Sequence, residues 1–188
     1  GKMAALEERV AVWPGDRRGN AWKEFEAQHA SRDIVRAEDM ERIKLMAEAV
    51  LLDPKSRPLL DGATIESAAF WKDQETGVEC KALIDVAQET MLYDLKSASD
   101  IDLETFGSAA FKYGYYRQAA WYLDGATAAT GRPYMGLGFI VVEKESPHSV
   151  AVLYYDDEAI MRGRAENRAN LNLYAACKEA GVKPDYRR

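Results

Sequence analysis

The sequence predicts an α/β fold, a central mixed β-sheet flanked by helices. Three observations predict it. Three short apolar segments separated by polar turns lie between Thr64 and Lys96, the pattern of consecutive strands. A second pair of such segments, Leu137–Val142 and Val150–Tyr155, follows an Ala-rich and aromatic stretch without proline. Helical runs precede, divide and follow the strands, so the order is helices, strands, helix, strands, helix.

In chain order, residues 20–60 read as helical. Ala21–Ala27 and Ala37–Leu51 lack internal Gly and Pro, and Met40, Ile43, Ala47, Val50 and Leu51 recur at helical spacing to give one buried stripe. Pro54 and Pro58 end that run. Strands are expected over Thr64–Trp71, Val78–Val86 and Met91–Lys96. Asp73-Gln74-Glu75-Thr76-Gly77 supplies the first turn, and Gln88-Glu89-Thr90 the second. Residues 102–129 read as one long helix or a pair, broken by Gly131-Arg132-Pro133. Glu145-Ser146-Pro147-His148 forms the loop of a second hairpin. Asp156 then opens a last helix, Asp157 to Ala180, stopped by Gly181 and Pro184. The whole chain, 1–188, is expected to form a single domain, mainly helical over 1–60 and with its core over 61–188.

Composition narrows the class. At 188 residues the chain supports one substantial core, and 47% hydrophobic content with a mean hydropathy of -0.39 fits a soluble globular protein. No apolar run approaches a membrane span, and no signal peptide opens the chain, so no membrane partner is expected. Cys80 and Cys177 are too few for a four-cysteine iron–sulfur cluster and read as reduced thiols of a cytoplasmic protein. A net charge of -6 argues, by itself, against nucleic acid. Local clusters soften that objection: Arg17-Arg18, Lys23, Arg32, Arg36 and Arg162-Arg164-Arg168 are expected to form a basic lining.

The chemistry concentrates in the second expected hairpin. Side chains alternate along a strand, so Asp94 and Lys96 share one face and Leu95 points to the other. Asp85, on the neighbouring strand, faces them. Two carboxylates and an ammonium at the edge of an apolar core are costly unless they bind something. A divalent cation with a water and a phosphate offsets that cost. On spacing alone, the same acids also read as turn-flanking surface residues. Gln118 and Tyr122, four apart, share a helix face, which fits either a core-packing helix or a site-facing one.

Taken together, Asp85, Asp94-Leu95-Lys96 and Gln118-Ala119-Ala120-Trp121-Tyr122 resemble the PD-(D/E)XK nuclease superfamily, in its RecB- and lambda-exonuclease-like branch. Ile84 stands where the name of the superfamily has proline. The longer strings Glu66-Ser67, Phe70-Trp71-Lys72-Asp73, Glu75-Thr76-Gly77-Val78, Phe111 through Gly125 and Arg17-Arg18-Gly19-Asn20-Ala21-Trp22-Lys23 resemble the RecE-type exonucleases (exodeoxyribonuclease VIII) of phages and prophages.

That resemblance implies a metal held by Asp85, Asp94 and the Leu95 carbonyl, with Mg²⁺ as cofactor and Mn²⁺ as substitute. It implies a catalytic set of Asp85, Asp94, Lys96, Glu66, Gln118 and Tyr122, with Arg17, Arg18, Lys23 and Arg117 on DNA. It further implies 5′ to 3′ resection of double-stranded DNA ends, a single-strand-annealing (RecT-like) partner and a homo-oligomer in a bacterial cytoplasm. Relatives of this type carry a metal-binding His shortly before a Leu-Glu. If Leu6-Glu7 matches it, that position falls on or near Lys2, so the ligand is expected to be lost by truncation or replaced. Weak, metal-hungry nuclease activity is therefore expected; a non-catalytic DNA-end-binding and recombination scaffold, or an endonuclease on the same fold, are the alternatives.

Overall fold

The computed structural model describes residues 8–183. The chain divides into two compact units, residues 1–49 and 50–188.

In the first unit, β1 (Val10–Trp13) and β2 (Asp33–Arg36) pair in parallel, Val10 opposite Asp33 and Trp13 opposite Arg36. Helix α1 (Gly19–Gln28) supplies the crossover that parallel neighbours need. Trp13 packs on Trp22 and Phe25, with ring centroids 5.7 and 4.9 Å away, and Phe25 packs on His29 at 4.3 Å. Strand β2 corrects the all-helical reading of residues 20–60. The β-branched pair Ile34-Val35 favours extended backbone, and the partner strand that completes the ladder lies 23 residues earlier, outside any local pattern. Helix α2 (Ala37–Leu52) begins in this unit and ends in the second.

The second unit begins by closing α2. Asp53 Oδ1 accepts the N–H groups of Lys55 and Ser56, and the fully buried Ser56 donates its hydroxyl to Val50 O at 2.6 Å. Pro58 lies inside a short helix, α3 (Arg57–Leu60), in its first turn, where a missing N–H costs nothing.

The sheet then runs in the order β3-β4-β5-β6-β7, with β3 (Thr64–Lys72), β4 (Glu79–Ala87), β5 (Met91–Ala98), β6 (Gly136–Glu143) and β7 (Val150–Tyr154). Only β5 and β6 are parallel, so the sheet is mixed, as the sequence predicts. Between them the chain crosses through α4 (Leu103–Tyr113) and α5 (Tyr115–Thr130), so residues 102–129 form a pair of helices. Gly114, at φ 71°, divides them, a left-handed conformation glycine takes without steric cost. Asp102 caps α4 by accepting from Glu104 and Thr105, and Asp156 caps α6 (Asp157–Ala180) through Ala159.

The core gathers Leu92, Ala119, Ala120 and Val141, all fully buried, with Ile84, Phe106, Leu123 and Phe139. Small residues on α5 let it lie close to the sheet and to α6. A Cβ on Gly125 would sit 2.5 Å from Trp71, and one on Gly163 of α6 would overlap the Tyr116 carbonyl. Among the described residues no helix is long and apolar enough to cross a membrane. Cys80 and Cys177 are free thiols.

Candidate active site

The site is built where two ladders open. Strands β4 and β5 pair only at Val86–Tyr93 and Ala87–Leu92. One step further the register would set Asp85 opposite Asp94, and there the ladder ends. Asp85 instead spends its own carboxylate on the gap: its Oδ2 accepts the Leu95 N–H at 2.8 Å. A residue's N–H and C=O point to the same side of a strand, so the Leu95 carbonyl also faces this opening. On the other side, β3 pairs with β4 at Ile65–Val86 and Ser67–Ile84 but skips Glu66 and Asp85. Glu66 is left-handed there, at φ 52°, an uncommon state for a residue with a side chain and one that stores about 1–3 kcal/mol. Glu66, Asp85 and Asp94 thus form one row across three strands, and the regular sheet breaks along it.

Asp94 is the buried member, 2% exposed. Gln118 Nε2 donates to its Oδ1 at 2.9 Å and to the Tyr122 hydroxyl at 3.0 Å. Both amide hydrogens of Gln118 are therefore in use, and the i, i+4 spacing on α5 is what lets one amide bridge strand and helix. Lys96 Nζ pairs with Asp94 Oδ2, an oxygen sealed from solvent. Burial pushes the Asp94 carboxyl above its ordinary value. The Lys96 ammonium and the Gln118 amide act against that, and the Asp85 carboxylate adds to it. The two acids therefore interact, and a neighbouring cation would relieve both penalties.

The expected residues fall into separate places. Asp85, Asp94, Lys96, Gln118 and Tyr122 come together, with the Leu95 backbone. Glu66 lies on the same row, yet among the described residues no three His, Cys, Asp or Glu side chains group closely enough to hold a metal ion. Arg117 points elsewhere, to Glu166 Oε2 at 3.3 Å, because adjacent residues on a helix occupy different faces. Arg17, Arg18 and Lys23 lie in the first unit, where Arg17 donates to Ile34 O at 2.6 Å and lies over Trp22. Lys2, the position matched to the upstream His, is outside the described residues.

The expected basic lining from the last helix is not free charge. Arg162 pairs with Glu166 at 3.0 Å, Arg164 with Asp124 at 2.9 Å and Arg168 with Asp73 at 2.7 Å. Acids on α5, on α6 and in the β3–β4 turn neutralise these arginines, and sequence spacing shows only the Glu166 pair. Sequence reasoning also missed the bidentate Asp73–Arg168 clamp, which spans 95 positions; a turn signal and a place in the resembling string gave Asp73 no partner.

The donor set suits a hard divalent cation: two carboxylates and a backbone carbonyl, all oxygen. The interacting acids and the sealed Asp94 Oδ2 fit it on this structure's own terms.

No curated protein matches the chain. Among solved structures, a Eubacterium rectale protein provisionally described as an exonuclease is 15% identical with a TM-score of 0.67, over 88% of this chain. The chain spans 64% of that protein's length. At that identity the likeness shows the fold. An alkaline exonuclease from Laribacter hongkongensis is 16% identical over 87% of this chain and 88% of its own, with a TM-score of 0.33. The sheet order, the opened hairpin with its acid pair and lysine, and a family model matching residues 16–187 agree, and the chain belongs to the family described as the PDDEXK-like domain of unknown function (DUF3799).

Proposed function

We propose that this chain is a metal-dependent DNA exonuclease of the RecE type. It would resect double-stranded ends 5′ to 3′ and leave 3′ overhangs for a single-strand-annealing (RecT-like) partner. The observation that supports it most is the row at the opened β4–β5 ladder, where Asp85 and Asp94 face one another beside Lys96 on a PDDEXK-like nuclease fold. The cytoplasm of a bacterial host, phage or prophage origin and a homo-oligomeric assembly belong to the same reading and rest on resemblance.

Asp85, Asp94 and the Leu95 carbonyl would hold Mg²⁺, or Mn²⁺ in its place. A bound divalent ion makes its water more acidic and polarises a phosphoryl oxygen. The protein's own groups do the rest. Gln118 fixes the rotamer of Asp94, and Tyr122 fixes Gln118. Lys96, 18% exposed, presents an ammonium at the edge of the acid pair, where it can balance charge at a phosphate and hold or release a proton at Nζ. Leu95 N–H keeps Asp85 turned into the gap.

Incubating linear and covalently closed circular duplex with the protein, with and without Mg²⁺ or Mn²⁺, tests the reading. Metal-dependent loss of the linear DNA alone is expected. Cutting of the circle would instead make the chain an endonuclease. Binding to ends without cutting, even in excess Mn²⁺, would make it a scaffold.

A further inference from the structure

The corner between α4 and α5 presents an aromatic stack that the acid pair does not use. Lys96 Nζ lies 4.8 Å from the centre of the Tyr115 ring. Tyr115 rests on Phe139 of the core at 5.7 Å and carries Tyr113 on a near-parallel plane, 5.9 Å away at 26°. Tyr113 is 65% exposed. The stack therefore begins in the core, passes the site's lysine and ends in an open ring. Its position is fixed by the left-handed Gly114, whose N–H donates back to Ala110 and Phe111.

The arginines nearby serve a separate aromatic pair, Phe111 stacked on Tyr116. Arg117 and Arg162 share one carboxylate, Glu166. Arg162 lies over the half-exposed Phe111 at 4.9 Å, and Arg117 over Tyr116 at 5.5 Å. An exposed ring stacked outward from the site's lysine suits a nucleobase, because every base has a π face. Two ring contacts out from Lys96 is within about three stacked nucleotides, at roughly 3.4 Å each along a strand.

We propose that Tyr113 is a stacking platform for a base of the DNA strand being cut, within three nucleotides of the phosphate at Lys96. The inference rests on the nuclease reading above, and the experiment separates the two.

A short blunt duplex carrying 2-aminopurine among its three terminal nucleotides is titrated with protein without divalent metal, so that nothing is cut. Its fluorescence falls when the base stacks. Wild type and Tyr113→Phe are expected to quench it alike. Tyr113→Ala and Tyr113→Leu should lose the quench and bind roughly 5- to 150-fold more weakly. Their thermal unfolding should match wild type, because the ring is exposed. Leucine keeps apolar bulk without a π face, so quenching and affinity retained in Tyr113→Leu overturn the stacking role. If wild type digests linear DNA and Tyr113→Ala binds and quenches as wild type does, this inference falls and the nuclease reading stands. A wild-type chain that neither binds nor cuts DNA overturns both.

Discussion

At the scale of single residues, the site is a short list of groups each held by another. Asp94 is held by Gln118, Gln118 by Tyr122, and Asp85 by the Leu95 amide. Lys96 differs in kind, since it meets Asp94 on one side and the Tyr115 ring on the other. One charge contributes little to total DNA affinity but acts fully on a transition state. Lys96→Ala should therefore lower cleavage roughly 100- to 10,000-fold while end-binding in a gel-shift assay stays near wild type. Equal losses of binding and cutting would make Lys96 an anchor. Gln118→Ala removes the bond that orients Asp94, together with its anchor at Tyr122, without removing a proposed ligand. It should raise the Mg²⁺ concentration needed for half-maximal cutting, by on the order of 10- to 100-fold. An unchanged metal requirement would show that Asp94 keeps its position without help.

At the scale of elements, function depends on how closely α5 can approach its neighbours. Gly163 of α6 sits against the Tyr116 carbonyl, with the Ala120 Cβ 2.9 Å from where a side chain would begin. A backbone oxygen cannot rotate away, so one added methyl must push α6 outward. Gly163→Ala should cost about 1–3 kcal/mol in urea unfolding. Stability within experimental error of wild type would mean that the α5–α6 contact is looser than the geometry gives. The paired helices also explain why Gln118 meets Asp94 at all. The left-handed turn at Gly114 starts α5 afresh, and that reset sets which face Gln118 and Tyr122 present.

At the scale of the molecule, a clamp joins distant parts of the second unit. Arg168 of α6 donates two bonds, 2.9 and 2.7 Å, to Asp73 in the β3–β4 turn. The Arg168 guanidinium, with Thr76, holds the Asp73 carboxyl well below the usual carboxylate range. A depressed carboxylate stabilises the fold above its unfolded value and loses that contribution as pH falls through the folded one. Acid should thus weaken the wild type more than Asp73→Asn, the two converging well below pH ~4. Near neutrality Asp73→Asn should cost about 1–2 kcal/mol, a charged bond discounted because Arg168 is more than a third exposed. Denaturant melts at several pH values read this directly, and a constant gap between the two proteins would remove the clamp from the account.

The strands and the last helix were legible because their signals are local. Period-two alternation marks β3 to β5, and Asp156 with Gly181 brackets a helix whose bounds the structure repeats at Asp157–Ala180. The acid pair and lysine were legible for the same reason, since alternation alone puts Asp94 and Lys96 on one face. What the sequence could not determine depends on partners far along the chain. Strand β2 needs β1, Arg164 needs Asp124 on another helix, and Asp73 needs Arg168. The opened ladder at Asp85 and the left-handed Glu66 are tertiary outcomes as well. Residue type permits them, but only the packing of three strands against α5 makes them cheaper than an unbroken sheet.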